Sequence, residues 1–215
     1  MARLFNSSST QFCLTGNAPA TATPFTMACW FNPGTTTGAI RSLMSINTSG
    51  SNDNVWLLGI DTTDHVFARA RTTTQDAGTT SSTVTASVWQ HACGTFVSST
   101  NRTAYLNAAN PGTGTVSKIP AGTNQFFIGR SASTASLMDG AIAEAAVWNL
   151  ALSVADITML AGFCNPLLVK PNNIVGYWPL MGRGTVEPDI WRNRYELMLS
   201  GGPTVTGHVP IINRD

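Results

Sequence analysis

Charged side chains are scarce in this 215-residue sequence. Asp, Glu, Lys and Arg together make up 11% of it, well below the roughly 25% of an average soluble domain. The net charge is +1, and no basic run is interleaved with aromatic residues, so the electrostatic pattern of a nucleic-acid-binding protein is absent. Thr, Ser, Asn and Gly take the place of charge and favour strands and turns. We expect such a surface on a protein within an assembly or outside the cell.

Long apolar runs and paired cysteines are also missing. No run approaches the roughly 20 residues of a membrane-spanning helix, so we expect no membrane partner. The N-terminal stretch MARLFNSSSTQFCLTG lacks the apolar core of a signal peptide, which predicts a chain that begins in its mature form or does not use the secretory route. The cysteines are widely spaced, at Cys13, Cys29, Cys93 and Cys164. This spacing excludes the common structural zinc patterns and predicts four free thiols. Free thiols indicate a protein that assembles in a reducing compartment.

The sequence does contain a series of short apolar strand patterns separated by turns. In FTMACWFNP, Phe25, Met27, Cys29 and Phe31 share one face. The other predicted strands are residues 3–15 with a turn or bulge at Asn6–Thr10, Ala39–Ile46, Val55–Asp61, His65–Arg71, Val88–Val97, Ala104–Ala108, Gln125–Gly129, Ala141–Trp148 and Ile174–Trp178. Residues Thr72–Thr85 are predicted to be a loop with one short strand. Strands that recur every 10–15 residues or so predict an antiparallel β-sandwich.

One short helix is predicted directly after the strand Ala141–Trp148. Strict alternation would place Ile142, Glu144, Ala146 and Trp148 on one face of that strand, opposite Ala141, Ala143, Ala145 and Val147. Ser153 is a good N-cap, and Asp156 lies three residues later, which predicts a capping box at the start of the helix.

The chain changes character after Phe163. We assign residues 1–165 to the sandwich and residues 166–215 to a C-terminal extension that contains Pro166, Pro171 and Pro179. The extension has too many apolar residues for a disordered tail. It is expected to pack on the sandwich or on a neighbouring subunit.

Several segments resemble a concanavalin A-like sandwich of the laminin-G-like jelly-roll group. They are FTMACWFNP, VWQHACGTF, TAYLNA, FFIGR and MDGAIAEAAVWNLALSVADI, which together span about residues 25–160. The resemblance implies an all-β jelly roll with one short helix. In the tail, IVGYWPLMG, EPD and GHVPI resemble extensions found in proteins of tailed bacteriophages and uncultured viruses. Asn107–Ala108 stands where the family favours Asn-Gly, which predicts a different hairpin turn.

Asp139 and Glu144 are the first carboxylates to consider as a site. A calcium ion at the rim of the sandwich would need six to eight hard oxygen ligands. Asn6 is the other side chain that could contribute, and Ala143 stands where the resemblance implies an acid. The alternative is structural, with Asp139 shaping the turn before Gly140 and Glu144 making a buried hydrogen bond. We expect no cofactor, with calcium as the one exception to consider.

An enzymatic function is not predicted. Laminarinase-type hydrolases of this fold carry E-x-D-x-E on one strand, which places two carboxylates on one face for glycoside hydrolysis. The nearest match is Glu187-Pro188-Asp189, where the proline disfavours a central strand and the third acid is missing. The histidines (His65, His91 and His208) do not cluster in the sequence, and His91 is predicted to be a core residue.

The six tryptophans could include a sugar-stacking platform, because an aromatic ring offers a flat apolar face to a pyranose. Most lie in apolar strands and are predicted to be core. Trp191, beside Arg192 and Arg194, is the best candidate for an exposed ring, and it could equally anchor a subunit contact.

The leading prediction is a non-enzymatic virion structural protein, of the capsid-decoration or head-fibre type, with weak glycan or cell-surface adhesion. Its expected partners are the major capsid protein or other virion subunits and further copies of itself, on a virion surface assembled in the host cytoplasm. The alternative is a free carbohydrate-binding lectin module, with or without calcium. No particular residues are predicted to bind the ligand.

Overall fold

The computed structural model describes residues 1–36, 38–131, 136–182 and 184–212. In chain order its strands are β1 (Ala2–Phe5), β2 (Phe12–Thr15), β3 (Phe25–Pro33), β4 (Arg41–Asn47), β5 (Val55–Ile60), β6 (His65–Arg71), β7 (Gln75–Thr83), β8 (Gln90–Ser98), β9 (Asn101–Leu106), β10 (Ala109–Gly114), β11 (Gln125–Ile128), β12 (Gly140–Trp148), β13 (Ile174–Trp178), β14 (Val186–Glu187), β15 (Leu197–Ser200) and β16 (Thr204–Thr206). The helix α1 is Val154–Ala161, and short 3-10 helices lie at Ser7–Ser9, Pro166–Leu168 and Pro171–Asn173.

The strands form two eight-stranded sheets packed face to face. Sheet A has the order β10-β9-β8-β3-β12-β1-β16, with β13 also paired to β12, and sheet B has the order β14-β15-β2-β11-β4-β5-β6-β7. Neighbouring strands run antiparallel throughout both sheets. The main core lies between the sheets and includes Phe25, Trp56 and Phe96, whose rings pack within 5.4 Å of one another. The predicted all-β antiparallel sandwich with one short helix is confirmed.

Two predicted segments were wrong. Residues 3–15 are two strands in different sheets, because the 3-10 helix Ser7–Ser9 carries the chain from β1 in sheet A to β2 in sheet B. Residues Thr72–Thr85 contain the nine-residue strand β7 at the edge of sheet B. Its Thr and Ser residues gave no apolar alternation, because an edge strand buries little side-chain surface. The predicted polar loop before β12 falls partly on residues 132–135, outside the described residues.

Strand β7 also meets strand β10 of the other sheet, and two glycines allow the contact. A Cβ atom on Gly78 would lie 2.2 Å from the carbonyl oxygen of Gly112, and one on Gly112 would lie 1.8 Å from the carbonyl oxygen of Thr79. Only a residue without a side chain permits backbones to approach this closely. These edge strands therefore close one side of the sandwich.

The turn at Asn107–Ala108 differs from the prediction. Both residues have positive φ, 52° and 59°, as in the type I′ turn that Asn-Gly favours. The side chain of Asn107 accepts a hydrogen bond from the backbone N–H of His91 at 2.8 Å. The expected change of turn type was wrong, and alanine here adopts the left-handed conformation at a cost of about 1 kcal/mol.

Strand β12 contains a β-bulge at Glu144. Ala143 pairs with Trp30 and Ala146 pairs with Ala28, so β12 has one residue more than β3 between these pairs. Glu144 has a φ of 54°, the left-handed conformation of the first bulge residue. The extra residue reverses the alternation, so that Ala145 and Val147 join Ile142 in the main core. The predicted face assignment was therefore wrong after Ala143.

Helix α1 begins as predicted. Ser153 accepts a hydrogen bond from the backbone N–H of Asp156, and the Asp156 carboxylate accepts one from the backbone N–H of Ser153. The helix buries Ile157 and Leu160 in a cluster with Trp148 on the outer face of sheet A. Among the described residues, no helix is long and apolar enough to cross a membrane.

The C-terminal residues add strands to both sheets. The predicted strand Ile174–Trp178 is confirmed as β13, which pairs with β12. Strand β15 pairs with β2 in sheet B, and β16 pairs with β1 in sheet A. Trp178, Leu180 and Leu197 are completely buried in the main core. The extension thus packs on this chain's own sandwich, while the boundary drawn at residue 165 stays a prediction.

Candidate functional site

The outer face of sheet A is largely covered by the chain itself. Helix α1 packs on one part of it, and the C-terminal segment lies over another part, where Val209 is buried beside Trp30 and Ala143. The ring of Phe163 stacks on that of Trp30, with centroids 4.6 Å apart and planes at 7°. Much of this face is therefore unavailable to a ligand.

The outer face of sheet B, as the described residues form it, carries an open hollow of about 580 Å³, which we call the sheet-B hollow. Its lining residues are Ala39, Ile40, Asn52, Val55, Leu57, Arg69, Arg71, Gln75, Ser131 and Ser136. Val55 and Leu57 alternate along β5 with Trp56 and Leu58, which point into the main core. The hollow thus combines an apolar floor with guanidinium, amide and hydroxyl groups, the mixture typical of small-molecule sites.

Two arginines of β6 line the sheet-B hollow on neighbouring outward positions. Arg69 pairs with Leu57 of β5 and Ala77 of β7, and Arg71 pairs with Val55 and Gln75. The Arg71 Nε donates a hydrogen bond of 2.9 Å to an Asp53 carboxylate oxygen. That pair is about two-fifths exposed, so it contributes little to stability and leaves Arg71 within reach of a ligand.

Arg69 has no acidic partner in the part of the chain that the structure describes. Its guanidinium lies 4.2 Å from the centroid of the Phe67 ring, and its Nε is buried without an acceptor. Burial lowers the pKa of Arg69, and repulsion from Arg71 lowers it further, whereas Asp61 raises it. The hollow therefore contains a positive charge that forms no ion pair with a described carboxylate, and none of its lining residues is acidic.

The candidate calcium donors have structural roles. The Glu144 carboxylate accepts a hydrogen bond from the Tyr177 hydroxyl and lies 3.0 Å from His208 Nε2. Burial, and then Glu144, raise the pKa of Tyr177. The Asn6 side chain caps the first 3-10 helix. No group of three His, Cys, Asp or Glu residues that could hold a metal ion occurs among the described residues.

Asp139 is placed at the turn before β12, as its structural alternative requires. Its carbonyl oxygen accepts a hydrogen bond of 3.0 Å from the backbone N–H of Gly34. The next residue, Gly140, has a φ of 130°, and a Cβ atom there would lie 2.2 Å from the Asn32 carbonyl oxygen. Asp139 thus lies where the chain must turn closely past β3.

The carboxylates of Glu187-Pro188-Asp189 are buried and engaged. Glu187 pairs with Arg3 and also accepts a hydrogen bond of 2.8 Å from the backbone N–H of Gly182. Asp189 accepts three backbone hydrogen bonds, from Tyr177, Trp191 and Arg194. Neither carboxylate is more than 1% exposed, so this pair cannot reach a glycosidic bond.

The histidines lie apart. His91 is a core residue, as predicted, and burial lowers its pKa to about 3. His65 lies beside Asp61, and His208 beside Glu144. All four cysteines are buried, and burial raises the pKa of the Cys29 thiol.

Four tryptophans are buried, as predicted: Trp30, Trp56, Trp148 and Trp178. Trp191, the expected exposed ring, is half-buried and packs against the cluster around Trp148. Trp89 is also half-buried and lines a smaller hollow of about 260 Å³ with Asn32 and Ser87. Neither tryptophan contributes to the sheet-B hollow.

The sequence interpretation missed the sheet-B hollow. The segment HVFARAR was correctly assigned to a strand, and its arginines alternate with alanines that point into the core. Two arginines on one face of a half-buried strand were the available signal. The pattern could not show that this face stays open.

Solved structures share this fold at low sequence identity. A Bacteroides ovatus protein with a provisional assignment as carbohydrate-binding has a TM-score of 0.70 at 17% identity, over 98% of this chain and 61% of its own. The CBM40 domain of the Ruminococcus gnavus IT-sialidase, bound to α2,3-sialyllactose, has a TM-score of 0.57 at 18% identity, over 67% and 85%. The enzymatically active domain of tailspike protein 2 from bacteriophage CBA120 has a TM-score of 0.59 at 16% identity. The match covers 84% of this chain and 31% of the tailspike chain.

The chain spans about three-fifths of the Bacteroides ovatus protein and about a third of the tailspike chain. A comparison with curated proteins finds no match. A family model does match, over residues 6–158, which includes most strands of both sheets and the first part of α1. The chain belongs to the concanavalin A-like lectin/glucanases superfamily.

Proposed function

We propose that this chain is a non-enzymatic carbohydrate-binding module that holds a glycan in the sheet-B hollow. The observation that carries the proposal is the contrast between the two outer faces. Helix α1 and the C-terminal segment cover much of sheet A, whereas sheet B keeps an open hollow of about 580 Å³.

The lining of the hollow fits a sugar. Val55 and Leu57 offer an apolar floor to the C–H groups of a ring, and Asn52, Gln75 and the arginines offer hydrogen-bond partners for hydroxyl groups. The likeness in fold to a sialyllactose-bound CBM40 domain supports the same function. The non-enzymatic part rests on the acids of Glu187-Pro188-Asp189, which are already engaged within the fold.

A glycan array followed by calorimetry tests this function. The double variant Asn52→Ala/Gln75→Ala should weaken binding of the best glycan about tenfold or more, because two hydrogen bonds of about 1 kcal/mol each are lost. The matched control, Asn17→Ala/Thr21→Ala, alters exposed residues around a different hollow and should leave the affinity unchanged. Binding that responds only to the control variant would place the glycan elsewhere, and an array without any binding would reject the function.

A second candidate is a virion adhesion protein, on the virion surface and attached to capsid or other virion subunits. The likeness in fold to a phage tailspike domain over 84% of this chain supports it, as do the tail segments that resemble viral extensions. Light scattering after size-exclusion chromatography should then find a trimer or larger assembly. A monomer that binds glycans would favour the free module.

A further inference from the structure

Arg69 and Arg130 differ from the other buried or half-buried arginines of this sandwich, because neither forms an ion pair among the described residues. Each of the following pairs joins an arginine to a carboxylate within 4 Å: Arg3–Glu187, Arg41–Asp64, Arg71–Asp53 and Arg102–Asp76. Among the described residues, Arg69 forms no ion pair, and its Nε is buried without an acceptor, although the residue as a whole is partly exposed. Its closest described charged neighbour in the hollow is a second arginine, Arg71.

A partly buried cation in this position is stabilised when an anion joins it. Taking a guanidinium out of water carries a desolvation cost that only a paired anion offsets. The Phe67 ring, 4.2 Å away, recovers part of that cost as a cation–π contact. A neutral sugar would leave the charge of Arg69 without a counter-ion. The planar guanidinium instead matches a carboxylate or a sulfate, which it can bind through two parallel hydrogen bonds.

The charge count gives the class of the ligand. Arg71 is neutralised by Asp53, so one positive charge remains in the hollow at Arg69. We infer that the sheet-B hollow binds glycans that bear a singly charged anionic group, a carboxylate or a sulfate ester, with Arg69 as the residue that pairs with it. This inference rests on the proposed function, whose hollow it uses.

The surroundings of the hollow suit an acidic glycan longer than one sugar. Arg130 lies on the same outer face, with its guanidinium 4.6 Å from the centroid of the Phe12 ring and 5.5 Å from that of Phe127. Burial lowers the pKa of Arg130. Ser131, the residue after it, lines the hollow. A third guanidinium, after those of Arg69 and Arg71, therefore lies along the face on which a bound chain would continue.

Calorimetry with matched probes tests the inference. Sialyllactose and sulfated lactose are compared with lactose, and tri-galacturonic acid is compared with its neutral methyl ester, on the full chain. At least one acidic probe should bind about tenfold more tightly than its neutral counterpart, since a charge-assisted hydrogen bond is worth roughly that factor. Its affinity should fall as salt is raised. A preference for sialyllactose and galacturonate over sulfated lactose assigns the carboxylate, and the reverse assigns the sulfate.

Variants connect the preference to Arg69. Arg69→Gln should remove the higher affinity for the acidic probe. Arg69→Lys should keep part of it, because lysine retains the charge but cannot donate two parallel hydrogen bonds. Arg192→Gln, at an exposed residue of the tail, is the matched control and should change nothing. The thermal midpoint of Arg69→Gln should fall by little, because no ion pair is lost and the cation–π contact with Phe67 contributes little at a partly exposed site.

The failures of the two proposals can be told apart. Lactose or the methyl ester of tri-galacturonic acid that binds as tightly as the acidic probes would overturn the inference and leave a neutral-glycan module. An acidic preference that survives Arg69→Gln would also overturn it. If none of the probes and no glycan of the array binds, the proposed function fails as well.

Discussion

A chain truncated after Gly162 is expected not to fold. The truncation removes β13 from sheet A and β15 from sheet B, and it takes Trp178 and Leu197 out of the main core, where both are fully buried. Loss of one such tryptophan side chain costs about 3–5 kcal/mol, a large part of the 5–15 kcal/mol or so that stabilises a typical domain. The loss of several strands and side chains together should exceed that total.

Circular dichroism and thermal melting measure this outcome. The truncated chain should lack a cooperative transition, whereas a control chain that ends at Ile212 keeps every described strand and should melt like the full chain. The experiment also separates two roles for the extension. A folded, soluble fragment of residues 1–162 that has lost only self-association would show that the tail serves assembly, and would contradict its assignment to the core.

The sequence predicts the sandwich well because most strands have one face in a single large core. The pattern of β3 places Phe25, Met27, Cys29 and Phe31 on one face, and all of them lie between the sheets. The same reasoning failed at Glu144, because a bulge adds one residue and shifts the alternation. A glycine would have indicated the bulge, since its first residue takes positive φ, but here a glutamate with two side-chain partners adopts that conformation.

The candidate site could not be predicted from the sequence, for a different reason. Periodicity shows that Arg69 and Arg71 share a face of β6, but either outer face of a sandwich could have been covered. Which one stays open depends on the long-range placement of α1 and of the C-terminal segment around Val209. The sequence also could not show that Arg69 forms no ion pair. Asp61 and Asp64 are near it in sequence, but neither forms an ion pair with it in the structure.

The ion pair between Arg3 and Glu187 joins the first strand to the extension in a buried site. Arg3 is 4% exposed and Glu187 is 1% exposed, and Arg3 also donates a hydrogen bond of 2.9 Å to the Pro203 carbonyl oxygen. Glu187→Gln leaves the guanidinium buried without its anion, and we expect the free energy of unfolding to fall by about 3–5 kcal/mol. Urea denaturation of the variant measures the loss.

A double-mutant cycle distinguishes the cost of a buried charge without its partner from the loss of packing. Arg3→Met should be destabilising alone, because it leaves the Glu187 carboxylate buried without its cation. The double variant Arg3→Met/Glu187→Gln removes both charges and keeps an acceptor for the Gly182 N–H, so its loss should be smaller than the sum of the single losses. Asp53→Asn, which breaks the exposed pair with Arg71, is the control and should cost less than about 1 kcal/mol. Additive losses at Arg3 and Glu187 would mean that the two charges act independently, and the pair would then not fasten the extension to β1.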